Sequence, residues 1–170
     1  MKAYKLFRIK NNQLYPLYVL ADKPTPMNEW LDAEEGIRTE DGKVKSKLGR
    51  LAYRPGWHVT TVPFTDWIGK KMPDGTLAQK PDTVWCEVEY SADINYNDEA
   101  RENGWRNGRW AAQRAYLKHI PENGYYFYRT NSKQVDPWII CGRIKVTKIL
   151  THEEVKAICN EHGIEAQEVA

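Results

Sequence analysis

The sequence predicts an α+β fold, with mostly antiparallel strands in one or two small sheets and two or three short helices. Three observations carry this. Short apolar runs alternate with Gly, Pro, Asn and Asp turn signals along the chain. Helix signals are few and brief. Strands and helices do not alternate as βαβ units, which argues against a doubly wound sheet. The 170 residues match one domain by size and can bury a core without disulfides or metals. A single domain over 1–170 is therefore expected: an N-terminal hairpin over 3–20, a core over 48–162 and a frayed tail over 164–170.

Each element has its own signal. Tyr4 to Ile9 and Leu14 to Leu20 flank Asn11-Asn12 and read as a β-hairpin. Pro16 inside the second run makes it an edge or bulged strand. Glu29-Trp30-Leu31 reads as a short anchored turn. Leu51 to Thr61 reads as a strand kinked by Pro55-Gly56. Val84 to Tyr90 alternates cleanly, with Val84, Cys86, Val88 and Tyr90 on one face and Trp85, Glu87 and Glu89 on the other. Asn97 to Asn103 reads as a helix, with acids in its first turn and Gly104 as its stop. Trp110 to His119 has helical composition and is ended by Pro121. Tyr125 to Thr130 reads as a strand. Trp138 to Leu150 reads as a long β run bulged at Gly142. Thr151 and Glu154 form a capping box opening a helix that turns Val155, Ile158 and Cys159 inward and stops at Gly163.

Composition excludes several classes. Apolar content of 41% and charged content of 28% suit a globular chain rather than a disordered one. No apolar run reaches the ~18 residues of a membrane span. The first residues carry no apolar leader segment. Three separated cysteines, Cys86, Cys141 and Cys159, suit a reducing compartment, so a cytoplasmic location is expected. No Cys or His spacing matches a zinc site, and no metal is expected. Phosphate-loop, dinucleotide-fingerprint and serine-elbow motifs are absent.

What remains is a constellation. Arg54, Trp57 and His58 flank the Pro55-Gly56 turn. Glu87 lies on the clearest strand. Tyr126 and Tyr128 share a face of a later strand, followed by Asn131, and Asp136 precedes Trp138. Seven Trp and ten Tyr against three Phe favour stacking on a flat ligand or partner. A basic group for phosphate, rings for a base and a carboxylate for an oxocarbenium-like centre suit a dinucleotide. Basic stretches from Lys43 to Arg54 and from Arg101 to Arg129 are interleaved with Trp105, Trp110 and Tyr116, the combination single-strand nucleic-acid binders use.

The segments Tyr53 to His58, Val84 to Glu89, Gly124 to Asn131 and Trp138 to Val146 together resemble a module of phage and mobile-element proteins, covering roughly Leu48 to Ile158. The order of elements resembles a reduced ADP-ribosyltransferase fold. That resemblance implies NAD as cofactor and a host macromolecule as target. His58 or Arg54 takes the first-strand role, and Tyr126 or Tyr128 the second. Either Asp136 or Glu87 replaces the late glutamate, or the fold is inactive and only binds. Trp57, Tyr128 and Asn131 complete the cofactor contacts, with Arg54. The alternative expectation is a non-enzymatic anti-defence protein that engages a host nuclease or nucleic acid.

Overall fold

The computed structural model describes residues 1–46, 49–51 and 54–170. Leu48 and Tyr53, at the start of the expected core segments, lie outside them. The strands in chain order are β1 (Lys2–Lys10), β2 (Gln13–Tyr15), β3 (Trp30–Asp32), β4 (Val44–Ser46), β5 (Gly49–Leu51), β6 (Trp57–Thr60), β7 (Lys70–Lys71), β8 (Leu77–Ala78), β9 (Thr83–Tyr90), β10 (Ile94–Asn95), β11 (Gly124–Tyr128), β12 (Trp138–Cys141) and β13 (Arg143–Ile149). The helices are α1 (Asn97–Asn103) and α2 (His152–Glu161), with a 3-10 turn at Ala112–Arg114. The fold is α+β, and its strand pairs are antiparallel except for β10 with β11. It is built on one large sheet of nine strands in the order β10-β11-β12-β6-β1-β9-β13-β3, with β2 added to β1 and two separate hairpins, β4-β5 and β7-β8.

That order forces the sheet to curl. Only Gly142 separates β12 from β13, yet the two lie four strand positions apart in the sheet. In a flat sheet they would be ~19 Å apart at the usual strand spacing. One intervening residue spans at most ~7 Å. The sheet therefore wraps until the ends of β12 and β13 meet. Two contacts close the wrap. Trp57 of β6 donates its indole Nε1–H to the Leu31 carbonyl of β3 at 3.0 Å, and the Ala33 amide donates to the Gly142 carbonyl at 2.8 Å.

Wrapping gives the sheet an inside and an outside. Phe7, Val59, Cys86, Val88, Ile139 and Val146 belong to the inner cluster. On the outside, α2 covers Tyr4, Leu6 and Trp85 with Val155 and Cys159. Further along, α1 and the 3-10 turn cover Tyr126 and Ile140, with Ala100, Ala115 and Leu117 between them. Both faces of β9 are therefore largely buried: Cys86, Val88 and Tyr90 face inward, and Trp85 packs under α2.

Several expected elements hold. Asn11 and Asn12 both adopt positive φ, 51° and 62°, as a two-residue hairpin turn of this hand requires. The helix over Asn97–Asn103 stops at Gly104. Thr151 and Glu154 close the capping box of α2.

Others are corrected. The second hairpin strand ends at Tyr15, because Pro16 has no N–H to continue the ladder. Glu29-Trp30-Leu31 is not a turn, since Trp30–Asp32 forms the edge strand beside β13. The helical composition of Trp110 to His119 yields only one 3-10 turn. The Arg54 guanidinium takes the Gln113 and Ala115 carbonyls at 3.0 and 3.3 Å, holding this segment against β11 instead. Gly142 is not a bulge but a complete change of sheet position. The tail over 164–170, expected to fray, is tied down: Gln79 donates to the Glu168 carbonyl and Ala170 to the Gln79 carbonyl, both at 2.8 Å.

Gly142 has no room for a side chain. A β-carbon there would press into the Pro121 carbonyl oxygen and lie 3.0 Å from its carbon and 3.2 Å from Glu122 Cα. Gly142→Ala is expected to destabilise the fold by about 1–3 kcal/mol, read as a lower midpoint in urea at unchanged slope.

Candidate functional site

The Pro55-Gly56 turn delivers β6 into the sheet, and a cavity of about 740 Å³ surrounds this entry. Gly56 has φ +139°, and a β-carbon on it would sit 2.6 Å from Ile140 Cγ2. The turn thus lies flat on β12. One registered pair, Tyr4 with Thr60, joins β6 to β1. Beyond it the two strands part, and Lys5, Leu6, Trp57 and His58 line the opening. Tyr128, Trp138 and Trp30 add rings to the wall. The volume falls within the range of small-molecule sites.

Lys5 is the unexpected member. It occupies the inward phase of β1 between Ala3 and Phe7, opposite Cys86. Its ammonium donates to the His58 carbonyl at 2.9 Å, supplying a hydrogen bond that the parted strands do not. It lies 5.6 Å from the ring centres of both Phe7 and Trp57. Among the described residues no carboxylate pairs with it. Burial lowers its pKa to about 8. The neighbouring Cys86 and Cys141 thiols are pushed up to about 12 by their own burial, so they are uncharged at neutral pH and offer no counter-charge.

His58 is neutral as well. Burial, aided by the charges of Lys5 and Arg54, lowers its pKa from 6.5 to about 4. Its Nδ1 lies 3.3 Å from the Gly56 carbonyl oxygen. A carbonyl only accepts, so Nδ1 carries the proton and Nε2 keeps its lone pair. Among the described residues no group bonds Nε2. The ring packs edge-on to Trp138 at 5.9 Å. Arg54, by contrast, is largely committed. Besides its two backbone carbonyls, its guanidinium stacks 4.1 Å above the Tyr128 ring.

Of the residues expected to form a site, Arg54, Trp57, His58 and Tyr128 line this cavity. The others do not. Tyr126 is completely buried beneath the 3-10 turn, and burial pushes its hydroxyl pKa up. Asp136 accepts the Thr61 amide at 3.0 Å, the Val62 amide at 3.3 Å and the Thr61 hydroxyl, so it caps the end of β6. Glu87 lies 3.5 Å from Lys2 and accepts from Thr147. Asn131 turns its side-chain oxygen to the Lys133 amide at 2.9 Å. Asp32, Glu34 and Glu35 also line the cavity; Asp32 is paired with Arg143 at 3.2 Å and Glu34 with Lys23 at 2.6 Å, while Glu35 is exposed to solvent.

Lys5 had one signal in the sequence: a lysine in the apolar phase of a strand. Compared with family models, curated proteins and solved structures, the chain finds no match in any of the three. No described helix is long and apolar enough to cross a membrane.

The lowered pKa of His58 sets a pH dependence. As pH falls below 6.5 the unfolded chain protonates first, so stability declines through the window down to about 4 and then levels. Melting curves across that window should show a steeper acid loss for the wild type than for His58→Gln.

Proposed function

We propose that the cavity binds a ligand of the nucleotide class, NAD first among the candidates, and that the protein acts by binding rather than by group transfer. The observation that carries this is the Lys5 ammonium, held among aromatic rings with no carboxylate beside it. A desolvated charge without a partner is costly, and a bound phosphate removes that cost. Trp57, Trp138 and Trp30 offer faces or edges to a base. The free Nε2 of His58 accepts a hydrogen bond from a ribose hydroxyl or an exocyclic amine. The aromatic bias of the composition and the resemblance to ADP-ribosyltransferases support the same ligand class.

Transfer chemistry finds less support. Breaking the nicotinamide glycosidic bond calls for a carboxylate at the developing positive centre. Asp136 and Glu87 are engaged elsewhere, Asp32 and Glu34 are already in ion pairs, and Glu35, the third acid of the cavity wall, is exposed to solvent, which screens its charge.

Calorimetric titration with NAD, AMP and adenosine tests the reading. AMP is expected to bind about tenfold more tightly than adenosine, the effect of one charge-assisted contact. Lys5→Met should abolish that difference while the far-UV circular dichroism stays native. Absence of binding by all three ligands, or equal binding of AMP and adenosine, overturns it. Incubation with labelled NAD and lysate is expected to leave no label on protein or nucleic acid.

A further inference from the structure

Tyr128 belongs to two pockets. Its ring lines the cavity beside Arg54 and also a second depression of about 220 Å³ formed by α1, the 3-10 turn and β11. That depression is lined by Arg101, Trp110, Phe127 and Arg129, with Asn97 and Asp98 at its acidic side. Phe127 and Trp110 are 42% and 37% exposed. The Arg101 guanidinium lies 4.7 Å from the Trp110 ring centre, and no described residue offers it a hydrogen bond or an ion pair. Arg109 is equally unengaged, while Arg106 and Arg114 spend theirs on backbone carbonyls.

We propose that single-stranded nucleic acid runs from the cavity across Tyr128 into this second pocket. The proposal rests on the nucleotide reading of the cavity for its first nucleotide. Planar bases stack on exposed rings whatever their sequence, and Phe127 and Trp110 supply those rings one step beyond Tyr128. Phosphates that follow the bases need cations free of other partners. Arg101 is such a cation, already 4.7 Å from the Trp110 ring centre; Arg109, next to Trp110 in the chain, is a second, and Arg129 lines the same pocket while its Nε donates to the Gln134 carbonyl at 3.3 Å. Asp98 repels phosphate and accepts from a base amine, so it places the backbone on the arginine side. The local balance agrees: from Arg101 to Arg129 six basic residues face two acids, Glu102 and Glu122. A duplex cannot use these rings, because its bases are already stacked on one another.

The test is fluorescence anisotropy with labelled single strands of about ten nucleotides, as DNA and as RNA, with a duplex of the same length and an acidic peptide as competitors. Binding should exceed that of AMP at least tenfold and weaken as salt rises. Trp110→Ala should lower affinity about tenfold, the loss of one stacked base. Arg101→Ala should reduce the salt slope by about one released counterion. AMP binding in the cavity should be the same in both variants, which shows that they are folded. If AMP binds but the strand binds no more tightly, or if both variants bind the strand like the wild type, the path is overturned and the cavity reading stands. Equal competition by duplex or acidic peptide also overturns it, in favour of a general basic patch. Strand binding that depends on Arg101 and Trp110 without AMP binding overturns the cavity reading alone. No binding of either ligand removes both.

Discussion

The junction at Gly142 is the constraint on which the rest depends. One residue has to connect strands that a flat sheet would hold four positions apart. The sheet meets that demand by wrapping, and the wrap creates an interior. Hydrophobic burial then rewards the closure, because the inward residues of β1, β6, β9, β12 and β13 meet one another instead of water. The closing contacts are polar. The Trp57 indole reaches Leu31 of the edge strand, and the Gly142 carbonyl accepts from Ala33. Edge strands are exposed to unwanted pairing, and here β3 has its free side occupied by contacts from the far half of its own sheet.

The same closure explains the cavity. A sheet that curls this tightly cannot keep every strand in register with its neighbour, and β1 with β6 is where register is given up, after Tyr4 and Thr60. The Lys5 ammonium bonds the carbonyl left open there. An apolar residue at this position would fill space but leave His58 without that donor. A lysine satisfies the carbonyl and at the same time puts a charge where no acid among the described residues pairs with it. The unbalanced charge, the neutral His58 beside it and the surrounding rings are thus one consequence of how the strands part.

Much of the fold was legible because it rests on local chemistry. The Asn11-Asn12 turn, the alternation of Val84 to Tyr90, the Gly104 stop and the Thr151–Glu154 box each depend on residues within a few positions of one another. The failures share the opposite character. Gly142 looks like a bulge unless the sheet order is known, since its role comes from where β6, β1 and β9 are inserted. The segment from Trp110 to His119 has helical composition, but Arg54, some sixty residues earlier in the chain, claims two of its carbonyls. Local propensity is a weak prior against a half-buried guanidinium that takes two carbonyls. The candidate site divides in the same way. Arg54, Trp57 and His58 converge because one turn carries all three, and Tyr128 joins them because β11 and β12 are neighbours. Asp136 and Glu87 were chosen for their chemistry alone, and each has nearer donors to satisfy.

That division bears on what the site can do. A carboxylate acts on a developing positive charge only while its lone pairs are free, and every acid placed in the expected set spends them on an amide, a hydroxyl or a cation of the fold. The basic groups are spent unevenly. Arg54 is consumed in holding the 3-10 turn to Tyr128, so the residue that most resembles a phosphate anchor in the sequence is a brace. Lys5, which looks like an ordinary strand lysine, keeps an unopposed charge within reach of the cavity. On the proposed reading, binding energy for an anion therefore resides in β1 rather than in the Arg54 to His58 segment, which contributes the Trp57 ring and the His58 acceptor. On that reading, an aromatic, cation-bearing cavity whose acids among the described residues, Asp32, Glu34 and Glu35, are all solvent-exposed holds a flat anionic ligand rather than cleaving it.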